Sequence, residues 1–95
     1  MHESNAIIRK QFTVSGKVQG VWFRASTREQ ALVLGLSGYV RNISDGRVQV
    51  EAQGNIDVLD KLEQWLQHGP PMAKVSGVEY LKIALKSLDS GFQIF

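Results

Sequence analysis

The order of hydrophobic and polar residues first predicts a strand followed by a helix. Over residues 8–15 apolar and polar side chains alternate, as in a half-buried strand, with Lys10 as the polar exception on the apolar side. Through residues 23–34 four side chains share one side at helical spacing: Phe23, Thr27, Ala31 and Leu34. Gly35 predicts the end of this helix, because glycine readily adopts the left-handed conformation that follows many helices.

The next segment predicts a β-hairpin. Its strands cover residues 36–43 and 47–53, and Val48, Val50 and Ala52 face the same way. The intervening turn is Ser44-Asp45-Gly46, in which Gly46 supplies the positive φ. Gly38 within the first of these strands predicts close approach by another backbone.

A second helix and two further strands complete the pattern. Asn55 is a suitable N-cap, and the segment His68-Gly69-Pro70-Pro71 ends the helix. The apolar side of this helix consists of Val58, Leu59, Leu62, Trp65 and Leu66. Residues 72–76 predict a loop, and residues 78–85 predict a strand with a bulge near Tyr80 and Leu81, where the apolar phase changes. A turn over residues 87–91 and a short strand over residues 92–95 follow.

This order of elements predicts an α+β fold. The order is β-α-β-β-α-β with a small strand at the end, and right-handed crossovers place both helices on one face of a mostly antiparallel sheet. We therefore expect a ferredoxin-like split βαβ sandwich. This fold serves many functions and decides none of them.

Composition limits the classes of protein that need to be considered. The 95 residues, of which 43% are hydrophobic, suffice for one domain with one modest core. The absence of Cys excludes disulfides, thiolate chemistry and zinc–sulfur sites, and two His are too few for a convincing metal site. A net charge of +2 is too small to indicate a nucleic-acid or membrane partner.

The N-terminal residues do not resemble a targeting segment. Residues 1 to about 6 are expected to form a flexible tail, since they are mostly polar and lack the apolar core of a secretory signal. No stretch approaches the roughly 18 apolar residues of a membrane span. We expect a cytoplasmic protein that acts as a monomer, with no membrane partner.

The loop between the first strand and the first helix is the strongest candidate for a functional site. Residues 16–28 contain no acidic residue, whereas Lys17, Arg24 and Arg28 are cationic. No Ser, Thr, Asp or Asn stands just before the helix to cap its first N–H groups. Donors that lack acceptors at the positive end of a helix favour a phosphate, sulfate or carboxylate. The same loop could also be an ordinary turn with a solvated arginine.

Asn42 is the second candidate. It stands near the end of a predicted strand, where Asn is uncommon, so it either initiates the following turn or provides a fixed amide that holds a water. Glu51 and Glu63 are expected to be solvated, and no cluster of carboxylates suggests a magnesium site.

Two separate motifs resemble those of the acylphosphatase family. Residues 16–24 (GKVQGVWFR) are similar to the family pattern G-x-V-Q-G-V-x-F-R. Residues 38–42 (GYVRN), followed by Asp45-Gly46, Val48 and Gly54, resemble its second signature. The ending over residues 91–94 is also similar, so the resemblance extends from about residue 8 to residue 95.

The resemblance implies a function and a role for each site residue. It implies hydrolysis of small-molecule acyl phosphates to a carboxylate and phosphate, without a metal or other cofactor. Arg24 corresponds to the phosphate-binding arginine of the family, and Asn42 to the asparagine that positions water. The cradle of backbone amides corresponds to Gln19, Gly20, Val21, Trp22 and Phe23.

Two other functions are compatible with this order of elements. One is an RNA-binding module of the RRM type, which requires exposed aromatic residues on its central strands. Residues 47–53 (RVQVEAQ) contain no aromatic side chain, which argues against nucleic-acid binding. The other is a regulatory or interaction domain that binds an anion without turnover.

Overall fold

Seven helices and strands make up the described part of the chain. A computed structural model describes residues 6–87 and 91–95. Five strands and two helices follow in sequence order: β1 (Ile7–Lys17), α1 (Phe23–Val33), β2 (Ser37–Asn42), β3 (Val48–Asn55), α2 (Ile56–Leu66), β4 (Lys74–Ile83) and β5 (Phe92–Ile94). The predicted tail, apart from Ala6, and most of the predicted turn over residues 87–91 lie outside the described residues.

The strands form one sheet in the order β4-β1-β3-β2-β5. Neighbouring strands are antiparallel except β2 and β5, which run parallel. Both helices pack on the same face, where α1 lies against β2 and β5 and α2 lies against β1 and β3. This arrangement confirms the predicted ferredoxin-like split βαβ fold.

The core lies between this face and the helices, as the alternating pattern predicts. Phe12, Val14, Val48 and Val50 are fully buried on the sheet side. The helices contribute the following buried side chains: Phe23, Thr27, Ala31, Leu59, Leu62 and Leu66. Burial of these apolar faces is the main force that holds the helices on the sheet.

Lys10 belongs to the same buried face although it is charged. Its Nζ lies 3.1 Å from Glu63 Oε1 on α2 and 4.3 Å from the centroid of the Tyr80 ring. The ion pair and the cation–π contact offset the cost of taking the ammonium group out of water. The single polar exception in the pattern of β1 is thereby explained by its partners.

Several local predictions are confirmed. Asn55 caps α2, with its Oδ1 accepting a hydrogen bond from Asp57 N at 2.9 Å. Gly35 follows α1 with a φ of 72°. At Gly38 a Cβ atom would lie only 1.9 Å from the carbonyl oxygen of Glu51, so β3 can approach β2 this closely only because residue 38 has no side chain.

Two predictions about β4 are wrong. The strand begins at Lys74, within the predicted loop, because β1 continues to Lys17 and pairs with it. The irregularity in their pairing lies between Ser15 and Gly16 rather than at Tyr80 and Leu81. At Tyr80 and Leu81 the apolar phase changes because β4 is an edge strand with both faces partly open. Tyr80 lies beside Phe12 but is 53% exposed, and Leu81, on the opposite face, is 62% exposed.

The prediction that Glu51 is solvated is also wrong. Glu51 lies on the sheet face opposite the helices, but it is only 5% exposed. The segment after β4 crosses this face, and Gln53 holds it by a side-chain hydrogen bond to Lys86 O at 3.0 Å. Beneath this segment Arg9 and Tyr39 both donate hydrogen bonds to the Glu51 carboxylate.

The hydrogen-bonded cluster of Arg9, Tyr39 and Glu51 makes the free energy of unfolding depend on pH in both acid and strong alkali. Burial raises the pKa of Tyr39 to about 12, and its hydrogen bond to Glu51 adds to the shift. Burial would raise the pKa of Glu51 as well, but the hydrogen bonds from Tyr39, Arg9 and Gln11 outweigh it, so the pKa lies below its usual value.

We therefore expect the stabilising effect of Tyr39 to disappear in both acid and strong alkali. At pH 7 Tyr39→Phe should lower the free energy of unfolding by about 1.5 kcal/mol, the scale of a hydrogen bond to a charged group. The Tyr39 contribution is complete below pH 10 and is lost as the pH rises from 10 to about 12. The Glu51 contribution is present above the ordinary carboxyl pKa of about 4.3 and is lost below it. Urea unfolding of both proteins across this range tests the prediction, and a constant difference between them would contradict it.

The described helices are both short. Each contains 11 residues, and neither is long and apolar enough to cross a membrane.

Candidate active site

The loop between β1 and α1 has an unusual backbone conformation. Gly20 has a φ of 71°, and Trp22 has a φ of 65° and a ψ of 17°, so both are left-handed. Left-handed residues in a tight loop turn successive N–H groups toward one concave side, which is the geometry of an anion-binding nest. Trp22 is also the N-cap residue of α1, so this concave side continues into the first turn of the helix.

The N–H groups of this loop lack acceptors in the part of the chain that the structure describes. Ser26 is the first residue of the helix whose N–H is paired, with Trp22 O at 3.0 Å. Within the described residues no acceptor pairs with the N–H groups of residues 20–25. No side chain from residues 6–87 or 91–95 caps α1, and the first turn of the helix contains no acidic residue. The predicted excess of donors over acceptors is therefore present in the structure.

Gln19 ties the loop to the hairpin formed by β2 and β3. Its Nε2 donates to Ile43 O at 2.8 Å and to Arg47 O at 2.9 Å. These two carbonyls flank the turn immediately after Asn42. The side chain of Gln19 thus fixes the distance between the loop and the end of β2, a contribution that the sequence did not predict.

Arg24 lies in the first turn of α1, and its guanidinium group is available for a ligand. Arg24 Nη1 lies 3.4 Å from Phe95 O, at the long limit for a hydrogen bond. No Asp or Glu side chain in residues 6–87 or 91–95 forms an ion pair with Arg24. Phe95 N in turn donates to Val40 O at 2.9 Å, which places Arg24 beside the strand that carries Asn42.

Asn42 is the last residue of β2 and pairs with Val48 of β3. If Asn42 initiated the turn, its side chain would accept a hydrogen bond from the turn backbone. The side chain that does accept a hydrogen bond from the turn backbone is Asp45, from Arg47 N at 3.1 Å. Asn42 Oδ1 is buried, and no described residue donates to it. An unpaired buried amide oxygen costs about 1–3 kcal/mol, so a structural role does not account for this side chain.

These elements surround one cleft of about 400 Å³. Of the residues predicted for the site, the cleft brings together Gly20, Trp22, Phe23, Arg24 and Asn42. Gln19 and Val21 belong to the same loop but do not line the cleft: Gln19 binds the hairpin, and the Val21 side chain is buried in the core. Because the predicted role of these two residues involves their backbone, the orientation of their side chains does not test it.

Three lining residues were not predicted: Val18, Ala25 and Ile94. Ile94 lies on β5, which pairs with β2 through Val40. The sequence predicted a short strand here, but a three-residue strand has too short a pattern to assign a face, so Ile94 could not be placed at the site. The described residues contain no group of three or more His, Asp or Glu side chains that could hold a metal ion.

The fold and the cleft together define a small α+β protein with a loop rich in hydrogen-bond donors at the start of a helix. The family model for acylphosphatase matches residues 10–94. An acylphosphatase from Alkalilimnicola ehrlichii is 59% identical over 70 residues, which are 74% of this chain and 79% of that protein. One from Rubrobacter xylanophilus is 44% identical over 94 residues, 99% of this chain and 86% of that protein.

A solved structure agrees with these matches. The structure of an acylphosphatase from Coxiella burnetii superposes with a TM-score of 0.89 at 43% identity, and the match covers 94% of this chain and 93% of that one. The chain belongs to the acylphosphatase family. Its activity is accordingly the hydrolysis of acyl phosphates, as the resemblance of the two motifs implies.

Proposed function

We propose that the cleft binds the phosphoryl group of an acyl phosphate between Arg24 and the backbone N–H groups of residues 19–24, and that Asn42 positions the attacking water. The observation that carries this proposal is that Arg24, the donor-rich loop and the unpaired Asn42 line the same cleft. Phosphoryl transfer requires mainly positioning and stabilisation of charge, and these groups can provide both.

Arg24 and the loop have complementary tasks. The guanidinium group is a planar fork that can donate two parallel hydrogen bonds to two phosphoryl oxygens. The loop N–H groups, aided by the positive end of the α1 dipole, can hold the remaining oxygen. Because the donors are already oriented before substrate binds, they stabilise the charge of the transition state with little reorganisation.

Asn42 acts on the nucleophile. Its carboxamide can both donate and accept hydrogen bonds, so it can orient a water toward phosphorus, opposite the leaving carboxylate. The water oxygen forms a bond to phosphorus while the bond from phosphorus to the carboxylate oxygen breaks, and the carboxylate leaves with the electron pair. The products are the free carboxylate and inorganic phosphate.

The proton of the water is transferred to a phosphoryl oxygen of the substrate. Among the described residues that line the cleft there is no His, Asp or Glu to serve as a general base. We therefore expect a pH profile of kcat without a basic limb that belongs to the enzyme. Measurement with benzoyl phosphate between pH 4 and 9 tests this, after correction for spontaneous hydrolysis. An inflection with a carboxylate-like or imidazole-like pKa would contradict it.

Release of phosphate from benzoyl phosphate, with and without a chelator, tests the proposal as a whole. We expect the same turnover in both conditions, because Arg24 and the loop provide the positive charge that a metal would otherwise supply. Turnover that requires a metal would refute the proposed site. Binding of phosphate without any turnover would favour the alternative, a regulatory domain that binds an anion.

The proposed reaction also bears on the partners and the oligomeric state of the protein. The substrate is a small molecule that needs no second subunit or nucleic acid to hold it, so we propose that the protein acts as a monomer and without nucleic acid. Residence in the cytoplasm stays a prediction. Sedimentation equilibrium measured with and without phosphate tests the monomer, and a dimer that forms at working concentrations would contradict it.

A further inference from the structure

Trp22 is placed at the cleft in a way that its contribution to folding does not explain. It is the only non-glycine residue among those described that has a positive φ, and its side chain is 79% exposed. Glycine or asparagine adopts this conformation more readily than an aromatic residue. An indole that is mostly in water adds little to the core, so the fold gains nothing from tryptophan at this position.

Polar and apolar groups both line the cleft. The polar groups are Arg24, Asn42 and the loop N–H groups, at which the proposed function places the phosphoryl group. The apolar lining includes Trp22 and Ile94, which are 79% and 42% exposed. An acyl phosphate likewise joins an anionic phosphoryl end to an acyl end that can be apolar.

We propose that Trp22, together with Ile94, forms a contact surface for the acyl group and makes the enzyme prefer acyl phosphates with an aromatic or bulky apolar acyl group. This inference rests on the proposed function, because it requires the phosphoryl group to lie at Arg24. The indole presents a rigid flat face at little cost in conformational entropy, and a planar acyl group can stack on it.

The charges at the cleft narrow the substrate class further. Arg24 is the only charged side chain among the described residues that line the cleft, and the phosphoryl group occupies it. A second anionic group on the acyl half would find no cation there. The acyl group that fits this surface is therefore uncharged and apolar.

The experiment compares kcat/KM for benzoyl phosphate and acetyl phosphate in the wild type and in three variants. Trp22→Ala and Trp22→Gly both remove the indole, but only Gly relieves the strain of the left-handed backbone. We expect the ratio of benzoyl to acetyl kcat/KM to fall roughly 3- to 10-fold in both, the scale of one aromatic contact. The fall should arise mainly from a higher KM for benzoyl phosphate. Trp22→Phe should keep the ratio within about 2-fold of the wild type.

The two variants without an aromatic ring separate the acyl contact from the backbone cradle. A disturbed cradle lowers kcat/KM for both substrates by the same factor and weakens inhibition by inorganic phosphate, but it leaves the ratio unchanged. An unchanged ratio, or a fall in Trp22→Gly alone, would overturn the inference and leave the proposed function intact. A wild type that hydrolyses neither substrate would overturn both.

Discussion

Arg24→Lys is expected to lower kcat/KM at least 10²-fold, the scale of losing one preorganised donor, and to weaken inhibition by phosphate. Lysine keeps the positive charge but replaces the planar fork with a single ammonium group. It cannot donate two parallel hydrogen bonds to two phosphoryl oxygens. Steady-state kinetics with benzoyl phosphate, together with the inhibition constant of inorganic phosphate, measure both effects.

Arg28→Lys is the matched control for this variant. Arg28 lies one turn further along α1, and its Nε donates to Phe92 O at 2.8 Å, outside the cleft lining. The control makes the same chemical change near the same helix end, so it should keep wild-type kinetics. If both variants lose activity equally, a general effect of replacing an arginine of α1, and not the Arg24 fork, would account for the loss.

Asn42→Ala is expected to lower kcat roughly 10²-fold or more while phosphate still binds. The reason is that Asn42 is proposed to contact the water and not the phosphoryl oxygens. The inhibition constant of phosphate should therefore remain close to that of the wild type, which separates this variant from Arg24→Lys. Loss of phosphate binding with an unchanged kcat would reverse the proposed roles.

Asn55→Ala provides the control for the loss of an asparagine side chain. Asn55 stands at the opposite end of β3 from Val48, the partner of Asn42, and caps α2. Removing this cap should lower the free energy of unfolding by about 1 kcal/mol and leave kcat unchanged. A parallel fall in kcat in this control would mean that loss of stability, not loss of the positioned water, explains the Asn42 variant.

The main features of the fold could be predicted because each depends on local sequence. Alternation in β1 identifies the buried face, and helical spacing identifies the apolar side of α1. Gly38 by itself indicates the close approach of β2 and β3, because only glycine fits that contact.

The rest depends on contacts between distant segments, which local patterns do not contain. The start of β4 is determined by the length of its partner β1 and by the shift in pairing at Gly16. Burial of Glu51 depends on a segment that returns across the sheet more than 30 residues later. In both cases the residue types are common ones, and their position in the fold depends on a distant segment that the local sequence does not reveal.

The candidate site also has features that local sequence predicts and features that depend on contacts between distant segments. Its motifs identify Arg24, Asn42 and the loop, because their backbone and charge requirements are local. The tether from Gln19 to the hairpin and the contribution of Ile94 arise only when β2, β5 and the loop are assembled. The sequence therefore predicts most of the groups that meet at the cleft but not what holds them at a fixed distance.

A crystal structure determined after soaking in phosphate tests the central claim most directly. We predict an ion in the cleft, about 3 Å from the Arg24 guanidinium nitrogens and from the N–H groups of the loop, with the Asn42 carboxamide on its far side. A cleft without an ion at saturating phosphate, or an ion bound elsewhere while Arg24 makes no contact with it, would contradict the account.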